Sequence, residues 1–485
     1  MGEQRTAGPG PRDGLFVGIG ASAGSLEALD RFLDELPADS GMTLVVVQHL
    51  ERRHPSALAE LLGKHTRMPV QQAEDGVRAQ PNRVYVIPPN AVLTLARGVL
   101  RVAPAAETGL RTPIDAFLRS LALDRGEGAV GIILSGAGTD GTAGLRAIKE
   151  NGGLTLAQAP ETARYGSMPQ SAIAAGLVDF ALPVEEMPAR LQAYAVSVTE
   201  AREKGNETVD AQVTASLGAI CEILQRNTGH DFSHYKRGTL LRRIRRRIQI
   251  QQAASVADYV RSLEENAAEV ELLHGDLLIG VTHFLRDPEV FAALAEQVIP
   301  AIVENGDPSA PVRIWVPGCA SGEEAYTIAI LAREHAARID STRSVHVFAT
   351  DIDGELLATA RQGSYSGEIR EHVSPERLER FFTREGSSYR VARDLRELCT
   401  FSEHSLIKDP PFSSLDLISC RNVLIYLAVD LQRKLVPLFH YALRPGGYLL
   451  LGPSESLAGH PDLFVAVDKA HRIFRRNDSA VRPRV

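Results

Sequence analysis

Three residues that could act as a nucleophile, a base and an acid each follow an apolar run in the first third of the chain. Ser22 lies in the glycine-containing turn at residues 18–24, His49 follows the apolar run at residues 44–47, and Asp140 lies in the turn Ser-Gly-Ala-Gly-Thr-Asp-Gly at residues 135–141. Because the carboxyl ends of parallel strands face one crevice, these residues can meet there. In a Ser-His-Asp triad the serine attacks, the imidazole carries the proton and the aspartate orients the imidazole. The sequence therefore predicts a hydrolase site with Ser22, His49 and Asp140 as its catalytic residues.

Each of these residues also has a simpler interpretation. The glycines around Ser22 could let the backbone approach a phosphate, but a dinucleotide fold needs an acid at the end of the next strand, where this chain has Gln48 and His49. Ser22 and Asp140 could cap the helices that follow them, and His49 could close a strand. We favour catalysis because all three stand at strand ends of one domain. Their order, Ser then His then Asp, differs from the order Ser, Asp, His of α/β-hydrolases.

A second pattern of strand, glycine turn and helix occurs late in the chain. A predicted strand at residues 313–316 leads into the turn Gly-Cys-Ala-Ser-Gly at residues 318–322, a helix begins with Glu323 and Glu324, and the next strand ends in Asp351. Glycines for close approach, followed by a carboxylate for ribose hydroxyls, indicate a nucleoside site. The two glutamates would repel a pyrophosphate but suit an ammonium group. The sequence therefore predicts S-adenosylmethionine as the cofactor, the alternative being an ordinary α/β domain in which Asp351 caps a helix.

Two later segments fit the same cofactor. A predicted buried strand runs into Arg421 and Asn422, and Leu-Arg-Pro-Gly-Gly-Tyr-Leu at residues 443–449 is a turn into a late strand that is typical of enzymes that use S-adenosylmethionine. Together with the glycine turn they predict a methyltransferase.

A predicted helix at residues 235–248 carries an apolar stripe of leucines and isoleucines beside a cluster of five arginines: Arg242, Arg243, Arg245, Arg246 and Arg247. Exposed ion pairs contribute only about 0–1 kcal/mol each, so five cations on one helix favour the attraction of an acidic partner. The alternatives are a solvated helix face and, second, nucleic acid. A formal net charge of −7 argues against nucleic acid as a partner.

Composition and periodicity place these sites in a large α/β protein. The chain has 485 residues, 44% of them hydrophobic and 23% charged, and strands alternate with helices in both halves. We predict two doubly wound (Rossmann-like) α/β domains with a helical subdomain between them. The predicted boundaries are a leader at 1–13, a first α/β domain at 14–196, a linker at 197–214, a helical subdomain at 215–298, a second α/β domain at 299–478 and a tail at 479–485.

The sequence also indicates the cellular compartment in which the protein is expected. Its four cysteines form no C-x-x-C pair, which favours a reducing compartment. The sequence contains no apolar run of membrane-spanning length and no signal peptide. We therefore expect a cytoplasmic protein with no membrane span, and we predict no metal site.

The first α/β domain resembles the catalytic domain of the chemotaxis protein-glutamate methylesterases (CheB type). The resemblance rests on Gly-Ala-Ser-Ala-Gly at residues 20–24, the strand ending in Gln48-His49, Leu-Ser-Gly-Ala-Gly-Thr-Asp-Gly at 134–141 and Tyr-Gly-Ser-Met-Pro-Gln at 165–170. It implies that Ser22 attacks γ-glutamyl methyl esters of chemoreceptors and that amides near Ala137 or in the Ser22 turn hold the oxyanion. The family usually has Thr at position 23 and Gly at position 25. The receiver domain that many of its members carry is expected to be missing.

The second half resembles the chemotaxis protein-glutamate methyltransferases (CheR type) over residues 217–476. The resemblance rests on Thr-His-Phe-Leu-Arg at 282–286, Gly-Glu-Glu-Ala-Tyr at 322–326, Ala-Thr-Asp-Ile-Asp at 349–353 and Cys-Arg-Asn-Val-Leu-Ile-Tyr at 420–426. Ser405 stands where the family has Asn. The resemblance implies a set of cofactor-binding residues: Thr282, Arg286, Glu324, Asp351, Ser405, Leu406, Arg421 and Asn422. In that family the basic helix faces the receptor, so we predict that Arg242, Arg243, Arg245 and Arg246 bind the substrate.

Taken together, the two resemblances imply one chain with opposing activities. The first domain would remove methyl groups from receptor glutamates and the second would add them, with methyl-accepting chemoreceptors as partners and a chemosensory kinase or response regulator as a further partner. The alternative is that one half is catalytically silent and serves as a docking or signalling module. Methyl transfer to a glutamate that is already ionised needs little acid-base help, so we expect it to depend on proximity and orientation.

Overall fold

The structure is a computed structural model that describes residues 14–48, 57–105, 112–204, 206–278, 280, 282–305, 307, 309–386 and 388–479. The chain packs into two compact units. The first is drawn from residues 1–229 and 241–274, and the second from residues 230–240 and 275–485. None of the helices in the described ranges is long and apolar enough to cross a membrane.

A seven-stranded parallel sheet forms the centre of the first unit, with strand order β3-β4-β2-β1-β7-β8-β9. A separate antiparallel hairpin is made of β5 and β6. The strands up to residue 182 are β1 Phe16–Ala21, β2 Thr43–Gln48, β3 Val70–Gln72, β4 Arg83–Val86, β5 Ala91–Ala96, β6 Val99–Pro104, β7 Ala129–Ile133, β8 Leu154–Gln158 and β9 Phe180–Leu182.

Helices cover both faces of this sheet, and its central strands are buried throughout, as a parallel sheet requires. The helices up to residue 277 are α1 Leu26–Glu35, α2 Leu58–Leu62, α3 Pro113–Arg125, α4 Thr142–Glu150, α5 Ser167–Ala174, α6 Met187–Lys204, α7 Asn206–Thr228, α8 Arg237–Gln251, α9 Val256–Glu265 and α10 Ala267–Leu277. The last four overlap the helical subdomain that the sequence predicts at 215–298, and residues 241–274 pack within the first unit.

Two glycines of the turn around Ser22 lie inside β1 rather than in the turn. A Cβ on Gly18 would stand 2.6 Å from a methyl carbon of Leu118, and one on Gly20 would stand 2.4 Å from a methyl carbon of Ile114. Both contacts come from α3, so these glycines let that helix approach the strand. Close helix packing therefore accounts for the glycine spacing, without a phosphate ligand.

The second unit is built on a seven-stranded sheet with strand order β15-β11-β10-β16-β17-β19-β18, parallel except at β19 and β18. A small antiparallel sheet of order β12-β14-β13 belongs to the same unit. The strands are β10 Val312–Pro317, β11 Val345–Asp351, β12 Ser364–Ser366, β13 Phe382–Glu385, β14 Ser388–Val391, β15 Cys399–Glu403, β16 Leu415–Cys420, β17 Leu443–Leu451, β18 Phe464–Asp468 and β19 Ile473–Arg476.

Helices again pack on both faces of the larger sheet, around two buried apolar clusters. They are α11 Pro288–Gln297, α12 Ile299–Glu304, α13 Glu323–Arg338, α14 Gly354–Gln362, α15 Pro375–Phe381, α16 Arg393–Arg396 and α17 Val429–Ala442. The predicted fold class of two Rossmann-like α/β domains with helices between them is confirmed. In each sheet the first strand has neighbours on both sides that follow it in sequence, which places a ligand crevice at its carboxyl end.

Candidate active sites

Ser22 directly follows β1 at the crevice of the first sheet, and its turn is tied to the loop after β7. Its amide donates to the carbonyl of Ser135 at 3.1 Å, and its own carbonyl accepts from Ser25 Oγ at 2.7 Å. A Cβ on Gly136 would stand 2.8 Å from the Cβ of Ser22, so only glycine lets the loop pass this close. Ser25, rather than Ser22, occupies the N-cap position of α1. These contacts leave the Ser22 side chain half-buried at the strand end.

Asp140 is held at the start of a helix other than the one it precedes. Its carboxylate oxygens accept the amides of Ile114 at 3.1 Å and Asp115 at 2.9 Å, at the beginning of α3. Asp115 in turn accepts the amides of Gly141 at 3.0 Å and Gly144 at 2.6 Å, at the beginning of α4. A helix N-terminus stabilises a negative charge. The two carboxylates therefore cap each other's helices, and the capping of α4 predicted as the alternative role of Asp140 belongs to Asp115.

His49 lies outside the described residues. The residue before it, Gln48, ends β2, and its Nε2 donates to the carbonyl of Ser22 at 3.4 Å. The end of β2 thus reaches the Ser22 turn. The triad of Ser22, His49 and Asp140 itself stays a prediction.

Ser135 is a buried residue of this site that the sequence reasoning missed. Its Oγ donates to the carbonyl of Ala23 at 3.1 Å and accepts the amide of Tyr165 at 3.0 Å. It therefore joins three of the segments that carried the resemblance to methylesterases. Because the amides of Ser22 and Gly136 donate to carbonyls, the neighbouring amides of the two turns are the better candidates for an oxyanion hole.

One pocket of the second unit contains all the predicted cofactor residues. It opens at the carboxyl ends of β10, β11 and β16, and its lining includes Thr282, Arg286, Glu324, Asp351, Ser405, Leu406, Arg421 and Asn422.

Asp351 is the last residue of β11 and is fixed by backbone amides. Its carboxylate accepts from Ala320 and Ile352, each at 2.8 Å, and from Asp353 at 3.1 Å. Burial raises the pKa of this carboxyl, and the amides of Ala320 and Asp353 act against that rise. The N-cap of α14 is Asp353, whose side chain accepts from Glu355 and Leu356, so the alternative role of Asp351 as a helix cap does not apply.

Glu324 and Arg421 form a largely buried ion pair in the lining of the same pocket. The Arg421 guanidinium donates to Glu324 at 3.0 Å, to Asp287 at 2.6 Å and to the carbonyl of Arg286 at 3.0 Å. Ser419 Oγ donates to the other oxygen of Glu324 at 2.6 Å. Burial raises the pKa of the Glu324 carboxyl, and Arg421 opposes that rise. Arg421 therefore orients the Glu324 carboxylate of the pocket lining and also binds Asp287.

The glycine turn at 318–322 brings backbone to the floor of this pocket. Gly318 has φ +67° and Ala320 has φ +46°. A Cβ on Gly318 would stand 2.3 Å from a methyl carbon of Val423, so the turn lies directly against the loop after β16. A carboxylate for ribose hydroxyls, carboxylates for an ammonium group and a close backbone turn together fit S-adenosylmethionine.

Glu455 is a buried residue of this site that the sequence reasoning also missed. Its two carboxylate oxygens accept four amides: Asn422 at 3.1 Å, Val423 at 2.8 Å, Ile425 at 3.3 Å and Gly452 at 2.6 Å. Glu455 therefore links the loop that contains Arg421 and Asn422 with the residue that follows β17. A polar Pro-Ser-Glu-Ser segment directly after a buried strand was the signal for it.

The pocket lining also includes His230, Asp231, Tyr235, Lys408 and Tyr426. Burial, with a smaller contribution from Asp351, raises the pKa of Tyr235 to about 12. Burial lowers the pKa of His230, and the cation of Lys408 lowers it further. Tyr426 completes the lining at the end of the Cys-Arg-Asn-Val-Leu-Ile-Tyr motif, and that motif was its signal.

The predicted substrate-binding arginines do not form an open basic surface in this conformation. Arg246 donates to Asp179 at 2.6 Å and to the carbonyl of Gly153 at 2.8 Å. Arg243 donates to the carbonyl of Lys149 at 2.9 Å. All of these contacts lie within the first unit. The residues that accept from α8 here belong to the first α/β domain.

Two other arginines of this cluster pair with carboxylates, and a third is exposed to solvent. Arg245 donates to Glu127 at 2.6 Å and to Asp210 at 2.8 Å. Arg247 donates to Glu269 at 2.5 Å. Arg242 is exposed. A partner that used Arg243, Arg245 or Arg246 would have to displace these contacts.

Three family models match successive parts of the chain. The model of the CheB methylesterase family matches residues 17–191, that of the all-alpha domain of CheR methyltransferases matches 215–278, and that of the CheR SAM binding domain matches 280–473. An uncharacterized 104.1 kDa protein of Rhodobacter capsulatus is 37% identical over 446 residues, which are 88% of this chain and 46% of that protein. This chain thus spans about half the length of that relative.

Two further relatives each cover one half of the chain. A putative methyltransferase of Pseudomonas putida is 33% identical over 56% of this chain and 100% of its own length. The crystal structure of the Thermotoga maritima CheB methylesterase catalytic domain is 31% identical, covers 37% of this chain and 97% of its own, and has a TM-score of 0.35. Residues 280–473 are a SAM-binding domain, which confirms the predicted cofactor. The chain belongs to the CheB methylesterase family in its first half and to the CheR methyltransferase family in its second.

Proposed function

We propose that this chain is a bifunctional chemosensory adaptation enzyme that hydrolyses glutamyl methyl esters on chemoreceptors and also methylates receptor glutamates. The observation that carries the proposal is the presence of two sites of complementary chemistry in one chain. The first places a serine and a helix-bound aspartate at one sheet crevice. The second gathers eight predicted S-adenosylmethionine ligands in one pocket. A methyl ester is the product of one site and the substrate of the other.

At the esterase site, Ser22 Oγ would attack the ester carbonyl while His49 takes its proton. The tetrahedral intermediate collapses when His49 returns that proton to the leaving oxygen, which departs as methanol. Water then hydrolyses the acyl-serine by the same route and leaves a free glutamate carboxylate. Asp140 would orient His49 and stabilise its cation, a role that suits a carboxylate held by two backbone amides.

At the transferase site, bound S-adenosylmethionine supplies a methyl group activated by a sulfonium. Asp351 would hold the ribose hydroxyls, with Ser405 and Leu406 nearby, and Glu324, oriented by Arg421, would face the cofactor's ammonium group. Thr282, Arg286 and Asn422 complete the wall. The receptor glutamate is already an anion, so the residues of the pocket contribute by holding the reactants together.

The substrate proteins in this proposal are methyl-accepting chemoreceptors, with a chemosensory kinase or response regulator as a further partner in the cytoplasm. The alternative is that one half is catalytically silent and serves as a receptor-docking or signalling module. Both activities can be measured on the purified chain with receptor membranes and S-adenosylmethionine labelled in its methyl group.

We expect the wild type to label receptor glutamates and to release labelled methanol. Ser22→Ala should stop methanol release and increase the label on the receptor, and Asp351→Asn should bind cofactor more weakly and label less. Asp340→Asn, an exposed change after α13, is the matched control, because Asp340 is not part of the pocket lining. Unchanged methanol release in Ser22→Ala would exclude the triad, and wild-type cofactor affinity in Asp351→Asn would exclude the ribose contact.

A further inference from the structure

The arginine face of α8 is occupied by carboxylates of the same chain. The Arg246 side chain is 1% exposed and its partner Asp179 is 0% exposed. Arg245, at 12%, lies between Glu127 at 23% and Asp210 at 34%. Buried arginines paired with carboxylates form strong, charge-assisted hydrogen bonds. The face that the sequence predicts for an acidic partner therefore already binds acidic groups.

These contacts lie at the end of the first sheet that is opposite to Ser22. Glu127 precedes β7, Gly153 precedes β8 and Asp179 precedes β9, so all three stand at the amino ends of parallel strands. Ser22 and Asp140 follow the carboxyl ends. The contact with α8 thus occupies the arginines at the end of the sheet that lies away from Ser22.

We propose that the methylesterase domain and an unmethylated acidic receptor segment compete for this arginine face. The inference rests on the proposed function and adds a form of regulation to it. A receptor segment with free glutamates carries negative charge and can replace Glu127, Asp210 and Asp179 as the partner of α8. A fully methylated segment is neutral at those positions and cannot.

In this competition, the methylation state of the receptor glutamates would determine which of the two domains acts on them. Free glutamates, the substrate of the transferase, release α8 from the esterase domain. Methyl esters, the substrate of the esterase, leave α8 in place and the serine site accessible. Charge on the substrate then separates two activities that would otherwise consume cofactor in a cycle.

The pair formed by Arg245 is the suitable place to test this. Asp179 also accepts the amide and the hydroxyl of Thr155, at 2.9 and 2.8 Å, so its removal would disturb β8 and β9. Glu127 and Asp210 are partly exposed and bind Arg245 through their side chains. The double variant Glu127→Gln, Asp210→Asn keeps shape and removes two charges. Glu185→Gln is the control, since Glu185 pairs with Arg31 at 2.9 Å on the surface of the same domain.

The experiment measures amide hydrogen exchange of residues 241–251 in the full chain with two probes. One is a helical peptide with four glutamates on one face, and the other is the same peptide with every glutamate as its γ-methyl ester. We expect the acidic peptide to speed exchange in α8 and the ester peptide to leave it unchanged. The double variant should exchange faster without peptide and bind the acidic peptide about three- to tenfold more tightly than the control.

Two results would overturn the inference: equal effects of the acidic and ester peptides, or a double variant that behaves like Glu185→Gln. Methyl transfer to receptor membranes is measured on the same preparations. If the wild type methylates receptors but α8 does not respond to charge, the competition is wrong and the proposed function stands. If the wild type transfers no methyl group, the proposed function fails whatever α8 does.

Discussion

Replacement of Glu455 by Gln should lower both the free energy of unfolding of the second unit and the affinity of its pocket for the cofactor. The carboxylate accepts four backbone amides, two on each oxygen: Asn422 and Gly452 on one, Val423 and Ile425 on the other. Glutamine keeps one oxygen and turns an NH2 group toward the other two amides. A buried donor without an acceptor costs about 1–3 kcal/mol, so two cost about 2–6 kcal/mol of the free energy of unfolding.

Part of that cost should appear in cofactor affinity, because the displaced loop carries Arg421 and Asn422 into the pocket. A loss of about 1.4 kcal/mol corresponds to about tenfold weaker binding. Denaturant unfolding with and without S-adenosylmethionine, together with calorimetric titration, measures both quantities. Glu296→Gln, an exposed change on α11, is the control. Wild-type affinity and unchanged unfolding in Glu455→Gln would refute the reasoning.

Three further predictions concern single side chains. Asp115→Asn should keep most of the ester hydrolysis activity, because the one oxygen that accepts from Gly141 and Gly144 remains. Asp115→Ala should lower the kcat of ester hydrolysis about tenfold or more, because the turn that carries Asp140 is no longer held. Equal rates in the two variants would contradict this. Gly136→Ala should lower ester hydrolysis by a similar factor, since its Cβ meets that of Ser22, while calorimetric cofactor binding stays unchanged. Burial lowers the pKa of His230 from its ordinary value of 6.5. As the pH falls below about 6.5, the unfolded chain therefore takes up a proton that the folded chain does not, and the free energy of unfolding decreases. Between pH 7.5 and 5.5 this decrease should be smaller in His230→Gln, and parallel curves would exclude the effect.

The fold class and the strand ends at which the candidate residues stand could be predicted from the sequence because they depend on local patterns. Short apolar runs such as residues 44–47 form buried parallel strands, and chemistry at their carboxyl ends follows from topology. Asp351, Glu324 and Asn422 stand at strand ends or helix starts and meet in one pocket.

The contacts that hold these residues could not be predicted, because their partners are distant in sequence. Glu455 binds amides 30–33 residues away, and Asp115 and Asp140 exchange helix caps across 25–29 residues. The arginines of α8 have the pattern of a solvated face, but Arg245 pairs with Glu127, 118 residues away. Helical periodicity predicts which residues share one face of a helix, but it does not predict which domain packs against that face.

The central claim, that one chain both adds and removes the same methyl groups, is tested most directly by a pulse and chase on receptor membranes. The wild-type chain labels the receptor with methyl-labelled S-adenosylmethionine, and an excess of unlabelled cofactor is then added. We predict that label leaves the receptor as methanol with the wild type and stays on it with Ser22→Ala. Label that stays on the receptor with the wild type as well would contradict the account.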